Sequence, residues 1–126
     1  MVDTVYGQPY AARVVEIEAT TEFKRWFESL EVGEKKAIDL VVGLLRVQGV
    51  GLGAPYSSSI KGATFPLREL RPKRGASPLR AFYAFAPRRN VLLLIGGDKS
   101  GDNRFYTRMI ARTESLWIEY SRQEKP

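Results

Sequence analysis

The sequence predicts an α+β domain in which a mainly antiparallel sheet carries a helical hairpin on one face. Between Phe65 and Ile95, three short apolar runs are separated by proline, glycine and serine, which is typical of strands joined by turns. Before them, residues 20–48 contain two stretches with helical periodicity and a short connection. A chain of 126 residues is long enough to bury one core, so residues 1–126 are predicted to form a single domain.

The N-terminal residues lead into the first predicted strand. Residues 1–10 show no hydrophobic period and contain a glycine and a proline, so an irregular arm is predicted there. The segment RVVEIE, from Arg13 to Glu18, alternates enough to form a strand with Val15 and Ile17 on one face. We expect this strand to join the sheet out of sequence order.

Two helices are predicted next, and they should form a hairpin. Thr20 or Thr21 can cap the first helix, which ends near Leu30. Its apolar residues recur at i, i+3, i+4 and i+7, as one helical face requires; they are Phe23, Trp26, Phe27 and Leu30. The second helix is predicted from Glu34 to Gln48, and its inward-facing residues should be Ala37, Val41, Leu44 and Leu45.

The rest of the chain is predicted as a loop, a three-stranded meander and a closing helix. GVGLGAPYSSSIKG, which begins at Gly49, reads as a loop because of its glycines, proline and serines. The predicted strands are Leu67–Arg71, Leu79–Phe85 and Val91–Ile95. A helix over Arg104–Gln123 should then pack on the sheet through a stripe of Tyr106, Ile110, Thr113, Trp117 and Tyr120.

The composition excludes several kinds of chemistry. The chain has no cysteine and no histidine, so it offers no thiolate nucleophile, no imidazole base and none of the usual zinc ligands. Carboxylate-bound Mg²⁺ or Ca²⁺ would be the only ordinary metal site. No apolar run is long enough to span a bilayer, and the N-terminus lacks the pattern of a signal peptide. We therefore expect a cytoplasmic protein without a membrane partner.

The charge is concentrated in one half of the chain. The net charge is +6, but Lys61 to Arg112 holds twelve basic residues against three acidic ones, while the remainder holds eight against eleven. A basic block on a sheet favours a polyanion partner. The alternative is a solvated basic face with no partner.

Four short motifs follow one another along the second half of the chain. They are LREL followed by Arg71, LRAFYAF from Leu79, LLLIGGDK from Leu92, and RFY from Arg104. In this order they resemble the RelE/HigB-type toxins of type II toxin–antitoxin systems, in the RelE/ParE superfamily and in particular its phage-derived HigB-like branch. The resemblance extends from Arg13 to Arg122.

The resemblance implies a RelE-like fold, with a microbial-RNase-like sheet that has helices on one face and a basic groove on the other. It also implies a ribosome-dependent mRNA endonuclease that needs no metal or other cofactor. The expected partners are mRNA, the ribosome and a cognate antitoxin, which should be a HigA-like helix-turn-helix protein.

The resemblance also assigns site positions. Arg71 and Arg80 match the family's arginines at the end of the first meander strand and the start of the second. Lys99 lies near the basic residue after the third strand, and Tyr106 matches an aromatic hydroxyl at the start of the last helix. Glu69 and Leu67 stand where the RelE branch carries lysines, which argues against a lysine-driven mechanism here.

RNA cleavage by the 2′-OH requires a base, cations for the phosphorane charge and help for the leaving oxygen. Glu69 is the candidate base because it is the acid within the meander's basic strands, and Arg71 and Arg80 can clamp the phosphate. Lys99 or Arg104 can neutralise the leaving group, and Tyr106 can stack on a base or donate a proton. Candidate RNA-binding residues are Lys61, Arg68, Lys73, Arg74 and Arg104.

Structural alternatives remain for these residues. Glu69 can form an ion pair with Arg71 or Arg80, Arg68 can be a solvated strand residue, and Tyr106 can belong to the core. Two other functions also remain open at this point. One is a ParE-like toxin that inhibits gyrase, and the other is a catalytically inactive protein that binds nucleic acid or an antitoxin.

Overall fold

A computed structural model describes residues 14–72, 77–87 and 90–123 of the chain. The predicted arm at residues 1–10 and the first residue of the predicted strand, Arg13, lie outside this part. In chain order the elements are β1 (Ile17–Ala19), α1 (Thr21–Glu28), α2 (Val32–Gln48), a 3-10 turn (Gly49–Gly51), β2 (Ser57–Ser59), β3 (Arg68–Leu70), β4 (Leu79–Phe85), β5 (Val91–Asp98) and α3 (Phe105–Gln123).

The strands form one five-stranded sheet in the order β1-β5-β4-β3-β2. β1 pairs with β5 in parallel, and the other three pairings are antiparallel. The mainly antiparallel sheet, its meander and the out-of-order position of the first strand are therefore confirmed. In the meander, Glu69 of β3 lies opposite Phe82 of β4, and Arg80 of β4 lies opposite Gly97 of β5.

Three strand predictions differ from the structure. The first strand covers Ile17–Ala19, whereas Arg13–Glu18 was predicted. Residues 57–59 were predicted as loop but form β2 at the sheet edge, where Ser58 pairs with Glu69. Three serines have no apolar alternation and modest strand propensity, so only the partner strand makes them a strand. β5 also continues past Ile95, because Gly96 and Gly97, which suggested a turn, still pair with β4.

The helical hairpin covers one face of the sheet, as predicted. Thr20 caps α1 by accepting a hydrogen bond from the Phe23 amide at 3.0 Å, and it donates to the Leu94 carbonyl at 2.7 Å. α2 begins at Val32, two residues before the predicted start, and the Glu34 carboxylate accepts a hydrogen bond from the Glu31 amide at 2.9 Å. The core under the hairpin consists of Phe23, Ile38, Val41, Leu45, Leu52, Leu70, Leu79, Ala81, Tyr83, Val91 and Leu93.

The third helix covers part of the opposite face. Leu116 of α3 packs with Leu67, Ala84, Leu92 and Leu94, and a second cluster there joins Phe82, Phe105 and Met109. Helices therefore lie on both faces of the sheet, and the expectation of helices on one face alone was wrong. The buried stripe of α3 is also shifted from the predicted one, since it consists of Phe105, Met109, Thr113 and Leu116.

None of the helices in the described part of the chain is both long and apolar enough to cross a membrane.

Candidate functional site

The candidate site lies on the face of the sheet that carries α3. Residues alternate between faces along a strand, so Arg80 and Phe82 of β4 share this face with Glu69 of β3. Gly97 of β5 lets α3 approach closely, because a Cβ atom there would lie 2.9 Å from the Phe105 ring. The first turn of α3 therefore sits directly over the start of β4.

Glu69 is the centre of the site, and its side chain is 8% exposed. Its Oε1 accepts a hydrogen bond from the Tyr106 hydroxyl at 2.8 Å. Its Oε2 accepts one from Nη2 of Arg71 at 3.0 Å and faces the Ser58 hydroxyl at 3.4 Å. Both carboxylate oxygens are engaged by protein groups, so the ion pair between Glu69 and Arg71, one of the structural alternatives, is present.

Arg80 is almost as buried, but its guanidinium is less well satisfied. Nη1 donates hydrogen bonds to the carbonyls of Ser77 at 2.8 Å and Leu79 at 2.7 Å. Nε lies 3.9 Å from Oε1 of Glu69, which is too far for a hydrogen bond, and finds no partner among the described residues. Nearly all buried donors in proteins are paired, so this inaccessible N–H, whose nearest acidic neighbour is Glu69, is an exception.

Tyr106 joins Glu69 to the open groove. Burial raises the pKa of its phenol, the hydrogen bond and charge of Glu69 raise it further, and Arg80 acts in the opposite direction. The ring meets Phe82 edge-on with 6.3 Å between centroids, and meets Phe105 edge-on at 5.2 Å. Tyr106 is thus held in place by aromatic contacts and stays protonated at neutral pH.

A groove of about 490 Å³ opens beside Arg80 and Tyr106. Its walls come from the segment before β4, the turn after β5 and the start of α3. The lining residues are Ser77, Pro78, Arg80, Lys99, Ser100, Asp102, Asn103, Phe105 and Tyr106. The groove therefore combines two cations, a phenol, small polar groups and one carboxylate, Asp102, which is paired with Arg108. Its cations outnumber its carboxylate, which suits an anionic ligand with polar substituents.

A short turn after β5 brings Lys99 to this groove. Asp98 Oδ1 accepts hydrogen bonds from the Ser100 amide at 2.8 Å and the Ser100 hydroxyl at 2.6 Å. These two bonds lower the pKa of the Asp98 carboxyl. The Lys99 amide donates to the Pro78 carbonyl at 3.0 Å, which ties the turn to the segment before β4.

The structure thus brings together the five predicted catalytic residues, which are Glu69, Arg71, Arg80, Lys99 and Tyr106. Arg80, Lys99 and Tyr106 line the groove, while Glu69 lies beneath Tyr106. Arg71 is on the far side of Glu69, at the β2 edge.

The predicted RNA-binding residues are more scattered. Arg68 points to the hairpin face, where Nε donates to the Ser57 hydroxyl at 3.1 Å and the Tyr83 hydroxyl at 3.2 Å. It is therefore on the opposite side of the sheet from the groove. Lys61 and Arg104 are exposed, and Arg104 adjoins the groove residue Asn103. Lys73 and Arg74 lie outside the described residues.

Sequence reasoning missed the role of Ser58. Its hydroxyl accepts a hydrogen bond from Arg71 Nη2 at 2.6 Å, next to Glu69. Only the β2–β3 register places it there, and the run of three serines gave no signal that residue 58 would face the site. Within the described ranges no three acidic side chains converge on a point where a metal ion could bind.

Solved structures define the class of this fold as that of the RelE-like toxins. An archaeal RelE–RelB complex from Pyrococcus horikoshii matches with a TM-score of 0.56 and 11% identity, over 70% of this chain and 98% of that one. A metal-bound toxin from Helicobacter pylori matches with a TM-score of 0.53 and 24% identity, over 68% of this chain and 96% of that one.

Sequence comparisons give the family. The phage-derived Gp49-like family (DUF891) matches residues 25–117. Two proteins of Mycobacterium tuberculosis, named "Putative toxin HigB3" and "Putative toxin HigB2", are 34% and 27% identical over 68% and 78% of this chain. The matches cover 75% of the first relative and 50% of the second. The chain belongs to the phage-derived Gp49-like family and is a RelE/HigB-like toxin.

Proposed function

We propose that this toxin is a cytoplasmic, metal-independent endoribonuclease that cuts mRNA on the ribosome. One observation carries the proposal: a nearly buried arginine, Arg80, lines a groove that also holds Lys99 and Tyr106. A phosphodiester supplies the negative charge and the acceptor oxygens that an arginine and a lysine in one groove can bind.

Arg80 and Lys99 are assigned to the phosphate. Two carbonyls fix one end of the Arg80 guanidinium, so it is oriented before the substrate binds. Preorganised charge of this kind stabilises the developing phosphorane more strongly than it stabilises the ground state. Lys99 lines the same groove, and we assign it to the leaving 5′-oxygen.

Glu69 and Tyr106 are assigned to the proton of the 2′-OH. Glu69 lies beneath Tyr106, so we infer a relay: the 2′-OH passes its proton to the phenol, which passes its own to Oε1 of Glu69 across 2.8 Å. The O2′–P bond forms and the P–O5′ bond breaks. Lys99 gives a proton to the departing 5′-oxygen, and exchange with water restores both groups.

Basic residues outside the groove are assigned to the flanking RNA. Lys61 and Arg104 are exposed, and the sequence adds Lys73 and Arg74 in the same basic block. Basic side chains that contact the phosphates of an RNA strand give affinity for RNA without sequence preference. This supports a substrate held by its backbone, such as mRNA within the ribosome.

The proposed regulatory partner is an antitoxin. The fold is shared with a toxin solved as a RelE–RelB complex. We further propose that the antitoxin is a HigA-like helix-turn-helix protein encoded beside this gene. Co-expression of the neighbouring gene should relieve growth arrest, and persistent arrest at equal toxin levels would contradict this assignment.

The test of the function is expression of the chain followed by primer extension on a reporter mRNA. We expect new 5′ ends within the translated region, which disappear when the start codon is removed. An Arg68→Ala variant, changed on the opposite sheet face, should give the same cuts. Growth arrest with intact mRNA would refute the endonuclease and redirect attention to the ParE-like alternative, inhibition of gyrase.

A further inference from the structure

The edge strand β2 presents its three serines to different faces of the sheet. Ser58 pairs with Glu69, whereas Ser57 and Ser59 pair with Leu70 and Arg68. Directly opposed residues in an antiparallel pair project to the same face, with Cβ atoms about 5 Å apart. Ser58 is therefore the one residue of β2 that shares the face of the candidate site.

Ser58, Arg71 and Glu69 form a closed triangle of polar contacts. Arg71 Nη2 donates to Ser58 Oγ at 2.6 Å and to Glu69 Oε2 at 3.0 Å. The third side, from Ser58 Oγ to Glu69 Oε2, measures 3.4 Å. Each member thus contacts the other two, and the shortest side involves the serine.

Arg71 needs this support because its side chain is 32% exposed. An exposed arginine loses side-chain entropy when it is held in one geometry, and a solvated ion pair alone gives little to offset that loss. Among the described residues, Arg71 also donates a hydrogen bond from Nη1 to the Pro55 carbonyl at 3.1 Å. Ser58 supplies the short contact nearest to Glu69.

We infer that Ser58 is a positioning residue, which fixes the Arg71 guanidinium and thereby holds the Glu69 carboxylate in line with the Tyr106 hydroxyl. Its catalytic consequence rests on the proposed function. Ser58 is not among the residues that line the groove, and its hydroxyl contacts Arg71 and Glu69, so its effect on the site passes through these two side chains.

Three variants test the inference. Ser58→Ala removes the hydroxyl, Ser58→Thr keeps it on a residue that suits a strand, and Ser59→Ala is the matched control on the opposite face. In RNA cleavage, Ser58→Ala should lower kcat by about tenfold, because displacement of a reacting group by about 1 Å has effects of this order or larger. KM should stay within about twofold, and Ser58→Thr should restore most of kcat.

A second measurement does not depend on cleavage. NMR relaxation of the Arg71 guanidinium should show an ordered side chain in the parent, Ser58→Thr and Ser59→Ala proteins, and a mobile one in Ser58→Ala. If the parent cuts no RNA, the proposed function fails, and the relaxation data alone decide whether Ser58 positions Arg71. Arg71 equally ordered in Ser58→Ala, or kcat unchanged while Arg71 becomes mobile, would overturn the inference.

Discussion

The two buried charges of the site, Glu69 and Arg80, are satisfied to different degrees. The Glu69 carboxylate accepts hydrogen bonds at both oxygens. The Arg80 guanidinium has carbonyl partners at Nη1 but none at Nε among the described residues. The charge of Arg80 is balanced by Glu69 at 3.9 Å rather than by a direct hydrogen bond, and its place in the lining of the groove puts it beside an anion bound there.

Replacement of Glu69 by glutamine tests the structural share of this cluster. Glu69→Gln keeps the shape but removes the negative charge beside two arginines, so the free energy of unfolding should fall by about 1–2 kcal/mol. Urea denaturation at pH 7 measures this. Glu119→Gln is the matched control, because Glu119 is exposed on α3 and should change little. Equal stabilities for the two variants would contradict an internal ion pair at Glu69.

Tyr106 predicts a specific dependence of stability on alkaline pH. The pKa of its phenol is raised above the ordinary value of 10.0, so near and above that pH the unfolded chain ionises more readily than the folded one. The stability associated with Tyr106 is complete below pH 10 and is lost as pH rises through the folded-state pKa. Tyr106→Phe should therefore make the decline in unfolding free energy above pH 10 shallower.

Urea denaturation between pH 8 and pH 11 is the measurement. The control is Tyr56→Phe, since Tyr56 packs against the hairpin core and its hydroxyl forms no hydrogen bond with a charged group in the structure described. A decline that is equally steep in Tyr106→Phe and the parent would refute the environment assigned to Tyr106.

At the scale of the elements, the strands and helices with their own sequence signals were predictable. β4 was predicted with its observed bounds, because LRAFYAF is apolar and aromatic between turn residues. The first helix was predicted from the Thr20 cap and its apolar spacing. β2 was not predictable, because its pairing with β3 is a tertiary contact and its serines carry no strand pattern.

Substitution by alanine should have opposite effects on stability at two glycines, Gly96 and Gly43. A Cβ at Gly96 of β5 would lie 2.2 Å from the Trp26 ring, which packs α1 against the sheet. Gly96→Ala should therefore lower the free energy of unfolding by about 1–3 kcal/mol through overpacking. At Gly43, inside α2, a Cβ meets no atom within 4 Å, so Gly43→Ala should raise stability by about 0.5–1 kcal/mol.

Thermal and urea unfolding of both variants provide the test. A Gly96→Ala protein as stable as the parent would contradict the close packing of Trp26 on β5. A destabilised Gly43→Ala protein would contradict the open outer face of α2.

At the scale of the whole molecule, most of the candidate site could be predicted, and one residue, Arg68, was assigned to the wrong face of the sheet. Resemblance supplied the positions of Arg80, Lys99 and Tyr106, and the fold brings them to one groove. Arg68 was included because it belongs to the basic block. Side chains alternate between faces along β3, so Arg68 lies on the opposite face from its neighbour Glu69. The sequence alone already contained this signal.

The position of the groove depends on how α3 packs on the sheet, and the composition of the chain does not predict that packing. The stripe predicted for α3 included Tyr106, whereas the buried residue is its neighbour Phe105. Because α3 turns Phe105 rather than Tyr106 into the core, the Tyr106 hydroxyl can donate its hydrogen bond to Glu69. Packing between elements, rather than local propensity, sets this detail.

The most direct test of the groove as the active site is the rate at which purified Arg80→Ala cuts ribosome-bound mRNA, relative to the parent protein. Loss of the preorganised guanidinium charge that stabilises the phosphorane should lower the rate by about 10²–10³-fold. Lys99→Ala, changed in a turn outside the core, should also be slow, and Arg68→Ala should cut at the parental rate. Folded Arg80→Ala and Lys99→Ala proteins that both cut at the parental rate would contradict the assignment of the groove as the active site.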